Sequence, residues 1–249
     1  GEKVAIYLFF GREGEWEATS SEALLYINGK PLHGLDTRHQ EVVFPAEYVR
    51  GGRELDLAVK AFTGMNAKEG AFTQAKLVKI NPGAEEFYYL LRNAFRAALT
   101  LDEKDPVFVK VAQFIDRALQ AVDYRKPGSE AFYASVAKAL EQLKEDLSSI
   151  PASEFRPVVV GVGHSHIDVA WLWQLHHTRE KCSRTFSTAL RLMEQYPEFV
   201  YIQSQAQLYK YIKEDYPDIY RQIKEQVAAG RWEANGAMWV EADCNVTSG

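Results

Sequence analysis

Val158-Val159-Val160-Gly161-Val162-Gly163-His164-Ser165-His166-Ile167-Asp168 is the stretch that decides the fold. Its opening is a continuous β-branched run, the composition of a strand buried on both faces of a parallel sheet. Polar residues follow at once, just past the carboxyl end of that strand, where α/β folds place their ligands. Downstream, the apolar pattern predicts a helix over 185–195, a strand over 199–203, a helical stretch over 208–229 broken near Pro217, and a strand over 231–240. Strands alternating with helices imply a parallel sheet, open or barrelled. So few strands do not complete an α/β domain, and the chain is expected to be the front part of a longer one.

Upstream the period changes twice. Over 82–156, Phe87, Leu90, Leu91, Ala94, Phe95 and Ala98 fall on one helical stripe. Pro106 opens a second helix with Val107, Val111, Phe114, Ile115 and Leu119 inside, and Ser129 caps a third. Over 1–81 the chain shows short strand-like runs at 4–10, 23–27, 41–45, 54–60 and 75–80, with the hairpin signal Asn28-Gly29 among them. The expected architecture is therefore multidomain. An antiparallel β-sandwich spans 1–81, a helical connector spans 82–156, and the N-terminal part of an α/β, β/α-barrel-like catalytic domain spans 157–249.

Composition removes several classes of function. A formal charge of -5 over 249 residues gives no electrostatic footprint for nucleic acid or an anionic membrane. No run approaches the roughly 18 apolar residues of a membrane span. The two cysteines, Cys182 and Cys244, form no CxxC pair and no disulfide framework. Both read as reduced, packed thiols, and with no secretory leader visible the expected location is cytoplasmic. Oligomeric state is open, a homo-oligomer included.

Two segments carry chemistry. In His164-Ser165-His166-Ile167-Asp168, a neutral imidazole and a carboxylate two residues apart can reach one metal ion. If the chain leaves the strand extended, residues 164, 166 and 168 share one side. The competing reading is a polar turn whose histidines cap strand and helix ends. In Trp239-Val240-Glu241-Ala242-Asp243-Cys244-Asn245, carboxylates beside an aromatic suit glycoside chemistry, with a solvated acidic loop as the alternative. Alternation along a strand lets Glu241 and Asp243 face the same site. His176 and His177 read as surface or supporting residues, and His33 and His39 as part of the sandwich with no visible chemistry.

Together these segments resemble glycoside hydrolase family 38, the α-mannosidases, and in particular its bacterial and fungal cytosolic or vacuolar branch. The resemblance runs through 164–173, Tyr216-Pro217-Asp218-Ile219-Tyr220, Gly230-Arg231-Trp232-Glu233 and 239–249. It extends back to Leu24-Leu25-Tyr26-Ile27-Asn28-Gly29 and Gly34-Leu35-Asp36. It implies a zinc-dependent retaining glycosidase that removes terminal α-linked mannose from oligosaccharides or glycans through a covalent mannosyl-aspartate. His166 and Asp168 fall on the family's first two zinc ligands. Asp243 falls on its nucleophile, which also contacts the zinc, and only this match favours Asp243 over Glu241. Trp171 falls on the wall beneath the bound mannose. His164 matches a position that is not a direct ligand, and with Glu241 it is assigned to the layer that supports the ligands. Cobalt could replace zinc in so oxygen-rich a sphere. A further histidine ligand and the general acid lie downstream in the family, so these residues alone are expected to be inactive. Two other readings remain: a metal-dependent polysaccharide deacetylase-like hydrolase, and a non-catalytic carbohydrate-binding protein built on the sandwich.

Overall fold

The computed structural model describes residues 3–10, 21–50, 52, 54–62, 72–152, 158–236 and 238–241. The chain runs β1 (Lys3–Phe10), β2 (Glu22–Ile27), β3 (Lys30–Leu35), β4 (Glu41–Val43), α1 (Ala46–Val49), β5 (Leu57–Phe62) and β6 (Phe72–Ile80). It continues through α2 (Pro82–Ala98), α3 (Pro106–Gln120) and α4 (Glu130–Ser148). It then passes through β7 (Gly163–His164), α5 (Leu175–Gln195), β8 (Tyr201–Ile202), α6 (Ala206–Asp215), α7 (Pro217–Ala228) and β9 (Trp232–Glu233). The chain divides into two compact units, one of Gly1–Ala5 with Val78–Val159 and one of Ile6–Leu77 with Val160–Gly249. No helix among the described residues is long and apolar enough to cross a membrane.

The first unit is helical because its punctuation is local and strong. The Asn81, Asp105 and Ser129 side chains accept from the backbone N–H groups of Ala84, Val107 and Phe132, so each helix starts with a satisfied donor. Pro82 and Pro106 stand in the first turn, where their missing N–H costs nothing. Phe87, Ala118, Val122, Val136, Ala139, Leu140 and Leu143 form the core between the helices. Phe95 and Leu119, expected inside, are instead 51% and 40% exposed. Three helices cover only part of an apolar stripe, and these two sit at its edge.

In the second unit, β2 lies between β3 and β5, with both pairings antiparallel. Asn28 at φ 49° and Gly29 at φ 76° make the two-residue turn between β2 and β3, the left-handed pair that strand twist favours. β7, β8 and β9 form a parallel sheet in that order. A core of Ile167, Cys182, Phe186, Leu190, Met193, Tyr201, Leu208, Ile212, Ile219, Ile223 and Trp232 joins the parallel sheet to α5, α6 and α7. β3 rests directly on α5: a Cβ at Gly34 would stand 2.5 Å from the Arg184 carbonyl oxygen. Beside that contact Glu22 of β2 receives Lys181 at 2.5 Å and Arg184 at 2.7 Å, all from α5.

Antiparallel and parallel sheets are both present, but β3 falls outside the expected strand runs, β5 starts at Leu57 rather than Glu54, and the central strand is corrected. Val158, Val159 and Val160 are not strand and are 91%, 85% and 79% exposed. A β-branched run becomes a buried strand only with partners along its length. Among the described residues β8 supplies one to Gly163 and His164 alone. The strand expected over 231–240 also shortens to Trp232–Glu233. Gly236, at φ 128°, turns the chain there with its α-carbon against Ser204.

Candidate active site

The site begins with a glycine that lets two segments touch. A Cβ at Gly163 would lie 2.6 Å from the Phe199 ring, so any larger residue must push that ring aside where β7 enters the sheet beside β8. Past His164 the strand pairing ends, and buried glutamine side chains replace it. Gln203 Nε2 donates to the Ser165 carbonyl at 2.7 Å, and Gln205 Nε2 donates to the Ile167 carbonyl at 2.9 Å. Bonds to alternate carbonyls hold 164–168 extended. Ile167 turns into the core at 2% exposure, and His164, His166 and Asp168 share the opposite side.

His164 and His166 converge on Glu241, and Asp168 meets His166. His166 Nδ1 stands 2.5 Å from Glu241 Oε2, and His164 Nε2 stands 3.4 Å from Glu241 Oε1. Ser204 Oγ donates to the same carboxylate. Burial would raise the Glu241 carboxyl, but the Ser204 hydroxyl and the two imidazoles outweigh it, and the group titrates below its ordinary value. An ionised Glu241 accepts a proton-bearing Nδ1, so the tautomer of His166 with its lone pair on Nε2 is favoured. That lone pair faces Asp168 Oδ1 at 3.1 Å. Two acceptors at this distance need a positive charge between them. A proton can supply it: Glu241 first, then Asp168, raise the His166 imidazole above its ordinary value against the effect of burial. A divalent ion can supply it as well, since donors about 2.0–2.2 Å from one ion stand roughly 3 Å apart. His166 Nε2 and Asp168 Oδ1 are thus spaced as two donors to one divalent ion. Among the described residues no group of three His, Cys, Asp or Glu is placed to hold a metal. Asp243 and Cys244 lie outside the described residues.

The turn after Asp168 presents the aromatics. Ala170 sits at φ 62°, a left-handed conformation costing a non-glycine residue about 1 kcal/mol. Its N–H donates to Thr178 Oγ1 at 3.1 Å. Trp173 is buried, with Nε1 donating to the Asp168 carbonyl at 3.2 Å and to Thr178 Oγ1 at 3.1 Å. Trp171 meets it edge-on, ring centroids 5.5 Å apart, and stays 52% exposed. Trp239 is also exposed, and its indole N–H is held by Gln207 Oε1 at 2.7 Å. A cavity of about 380 Å³ adjoins the histidines, lined in part by Asp36, His39, His164, His166, Arg184 and Tyr201.

The remaining expectations resolve simply. His177 Nδ1 accepts the Gln174 N–H at the start of α5, and its ring lies 3.8 Å from that of His176, so this pair belongs to a helix end. Cys182 is buried in the core, and burial raises its thiol to about 12, which leaves it inert. His33 is buried, while His39 pairs with Asp36 at 2.9 Å on the cavity wall. Sequence reasoning missed Ser204, Gln203, Gln205 and Thr178. The signal for the first three was visible, a Gln203-Ser204-Gln205 polar run just past a parallel strand.

Residues 156–249 match the family described as glycosyl hydrolases family 38 N-terminal domain. The chain is 32% identical to "Alpha-mannosidase G" of Dictyostelium discoideum over 93% of its own length and 22% of that protein. It is 28% identical to "Alpha-mannosidase 2C1" of Mus musculus over 94% of its length and 23% of that protein. A shorter stretch, 36% of the chain, is 39% identical to "Alpha-mannosidase" of Saccharomyces cerevisiae, over 8% of that protein. The chain thus spans about a fifth of the first two relatives.

Proposed function

We propose, from the match of residues 156–249 to glycosyl hydrolase family 38, that the protein carrying this chain is a zinc-dependent retaining α-mannosidase. The observation that carries the proposal is the pairing of His166 Nε2 with Asp168 Oδ1 at 3.1 Å, its tautomer set by Glu241, within the family-matched residues. His166, Asp168 and Asp243 would hold the ion, with His164 and Glu241 orienting the imidazole from behind. When bound, zinc supplies Lewis-acid stabilisation and a template for sugar hydroxyls.

The chain's own residues supply a stacking surface and the nucleophile. Trp171, half exposed on a turn anchored by buried Trp173, gives the apolar face of a mannose a surface to stack on. Asp243 attacks the anomeric carbon as the glycosidic bond breaks, the leaving oxygen taking a proton from the general acid that the family resemblance assigns downstream, and water then hydrolyses the mannosyl-aspartate with net retention. Glu241 is engaged with His166, His164 and Ser204, which leaves it an orienting role and makes Asp243 the better nucleophile. The substrate class is terminal α-linked mannose on oligosaccharides or glycans. Incubating the full-length protein with an activated fluorinated mannoside, then sequencing the labelled peptide by mass spectrometry, tests this. Label on Asp243 supports the mechanism. Label on Glu241 reverses the two carboxylates, and hydrolysis with inversion and no label rejects the covalent route.

A further inference from the structure

We infer that Thr178 is a positioning residue for the site, its hydroxyl clamping the turn over 168–173 and so setting where the Asp168 carboxylate stands opposite His166. The inference rests on the reading of His166 and Asp168 as ligands of one divalent ion.

A hydroxyl has one proton to give and two lone pairs to share. Thr178, with 0% exposure, spends all three on this turn. Its Oγ1 donates to the Asp168 carbonyl and accepts from the Ala170 N–H and the Trp173 Nε1–H, each at 3.1 Å. The anchor is firm, because Thr178 belongs to α5, whose next turns carry buried Cys182 and Phe186. The clamped backbone is unusual. Ala170 holds φ 62°, which an alanine rarely adopts unless its amide has a partner that rewards it. Pinning the Asp168 carbonyl fixes the origin of its carboxylate, leaving only the side-chain torsions free. The same clamp extends to the sugar-facing ring: the Trp171 N–H donates to the Trp173 carbonyl at 3.1 Å, and the two indoles meet at right angles.

The alternative is that Thr178 only fills space, and hydroxyl chemistry separates the two. Thr178→Val keeps the shape and removes the hydroxyl, leaving the Ala170 N–H without its acceptor. Thr178→Ser keeps the hydroxyl and removes a methyl. The test measures zinc affinity by chelator competition on the full-length wild type and both variants, with amide hydrogen exchange at Ala170. The expected result is a loss of about tenfold or more in zinc affinity for Thr178→Val, the scale of outer-sphere substitutions, with Thr178→Ser within about threefold of wild type. The Ala170 amide should exchange slowly in wild type and Thr178→Ser, and fast in Thr178→Val. Wild-type zinc affinity in a folded Thr178→Val overturns the role, as does a loss in Thr178→Ser equal to that in Thr178→Val. If Thr178→Val fails to fold, an unprotected Ala170 amide in wild type, or a tenfold loss in Thr178→Ser, still overturns it. A wild type that binds no zinc overturns the ligand reading instead, and Ala170 protection then reports on the clamp alone.

Discussion

Replacing Gly34 by alanine should be among the most damaging single-methyl changes in the chain. The added Cβ would stand 2.5 Å from the Arg184 carbonyl oxygen, 2.8 Å from Thr188 Oγ1 and 2.9 Å from the Arg184 carbonyl carbon. Ordinary contact begins near 3.4 Å, so β3 and α5 must separate by about 0.9 Å. Thr188 can rotate, but the Arg184 carbonyl belongs to the helix backbone and cannot. Moving β3 also disturbs the ion pairs from Lys181 and Arg184 to the buried Glu22 on the neighbouring strand. Overpacking of this kind costs about 1–3 kcal/mol, and a backbone contact places Gly34→Ala near the top of that range. At about 2–4 °C per kcal/mol for a chain of this size, the melting midpoint should fall by roughly 6–12 °C. Thermal unfolding followed by circular dichroism measures it, with Gly161→Ala as control, because a Cβ there meets nothing within 4 Å. If Gly34→Ala melts within about 2 °C of wild type, the direct seating of β3 on α5 is wrong.

Two further changes test the second unit. Burial holds the His33 imidazole down from 6.5 to about 4, so between those values the unfolded chain binds a proton that the folded one refuses. Stability should therefore fall as pH drops from 6.5 towards 4, and His33→Gln should lose about 2–3 kcal/mol less than wild type between pH 7.5 and 4.5 in urea titrations. Equal losses would remove His33 as the cause. Arg231 Nη2 donates to the carbonyls of Met193, Tyr196 and Phe199 at 2.9, 2.8 and 3.0 Å, closing the C-terminal end of α5 onto the start of β8. Arg231→Met should cost about 1.5–3 kcal/mol in chemical denaturation, and an unchanged midpoint would show that water replaces the guanidinium without loss.

What the sequence disclosed follows from the range of the forces involved. Asn28-Gly29, Pro106 and Ser129 announced their turn and helix starts because capping and left-handed turns are settled within a few residues. The sharing of one side by His164, His166 and Asp168 was legible from strand alternation alone. The fate of 158–162 was not, since burial of a valine run depends on strands that pair with it from elsewhere. Glu241 was visible as a carboxylate, yet its grip on His166 spans 75 residues and is a product of the fold. Thr178 was hidden for the same reason. In sequence it is one residue of an amphipathic helix, and only the chain's return over 168–173 gives its hydroxyl a task.

The most direct test of the central claim is p-nitrophenyl α-mannoside turnover by the full-length protein before chelation, after it, and after zinc is restored, with wild type beside His166→Ala. The account predicts turnover that is lost on chelation, recovered with one zinc per chain, and absent in His166→Ala. Turnover that survives metal removal, or that His166→Ala leaves intact, would contradict it.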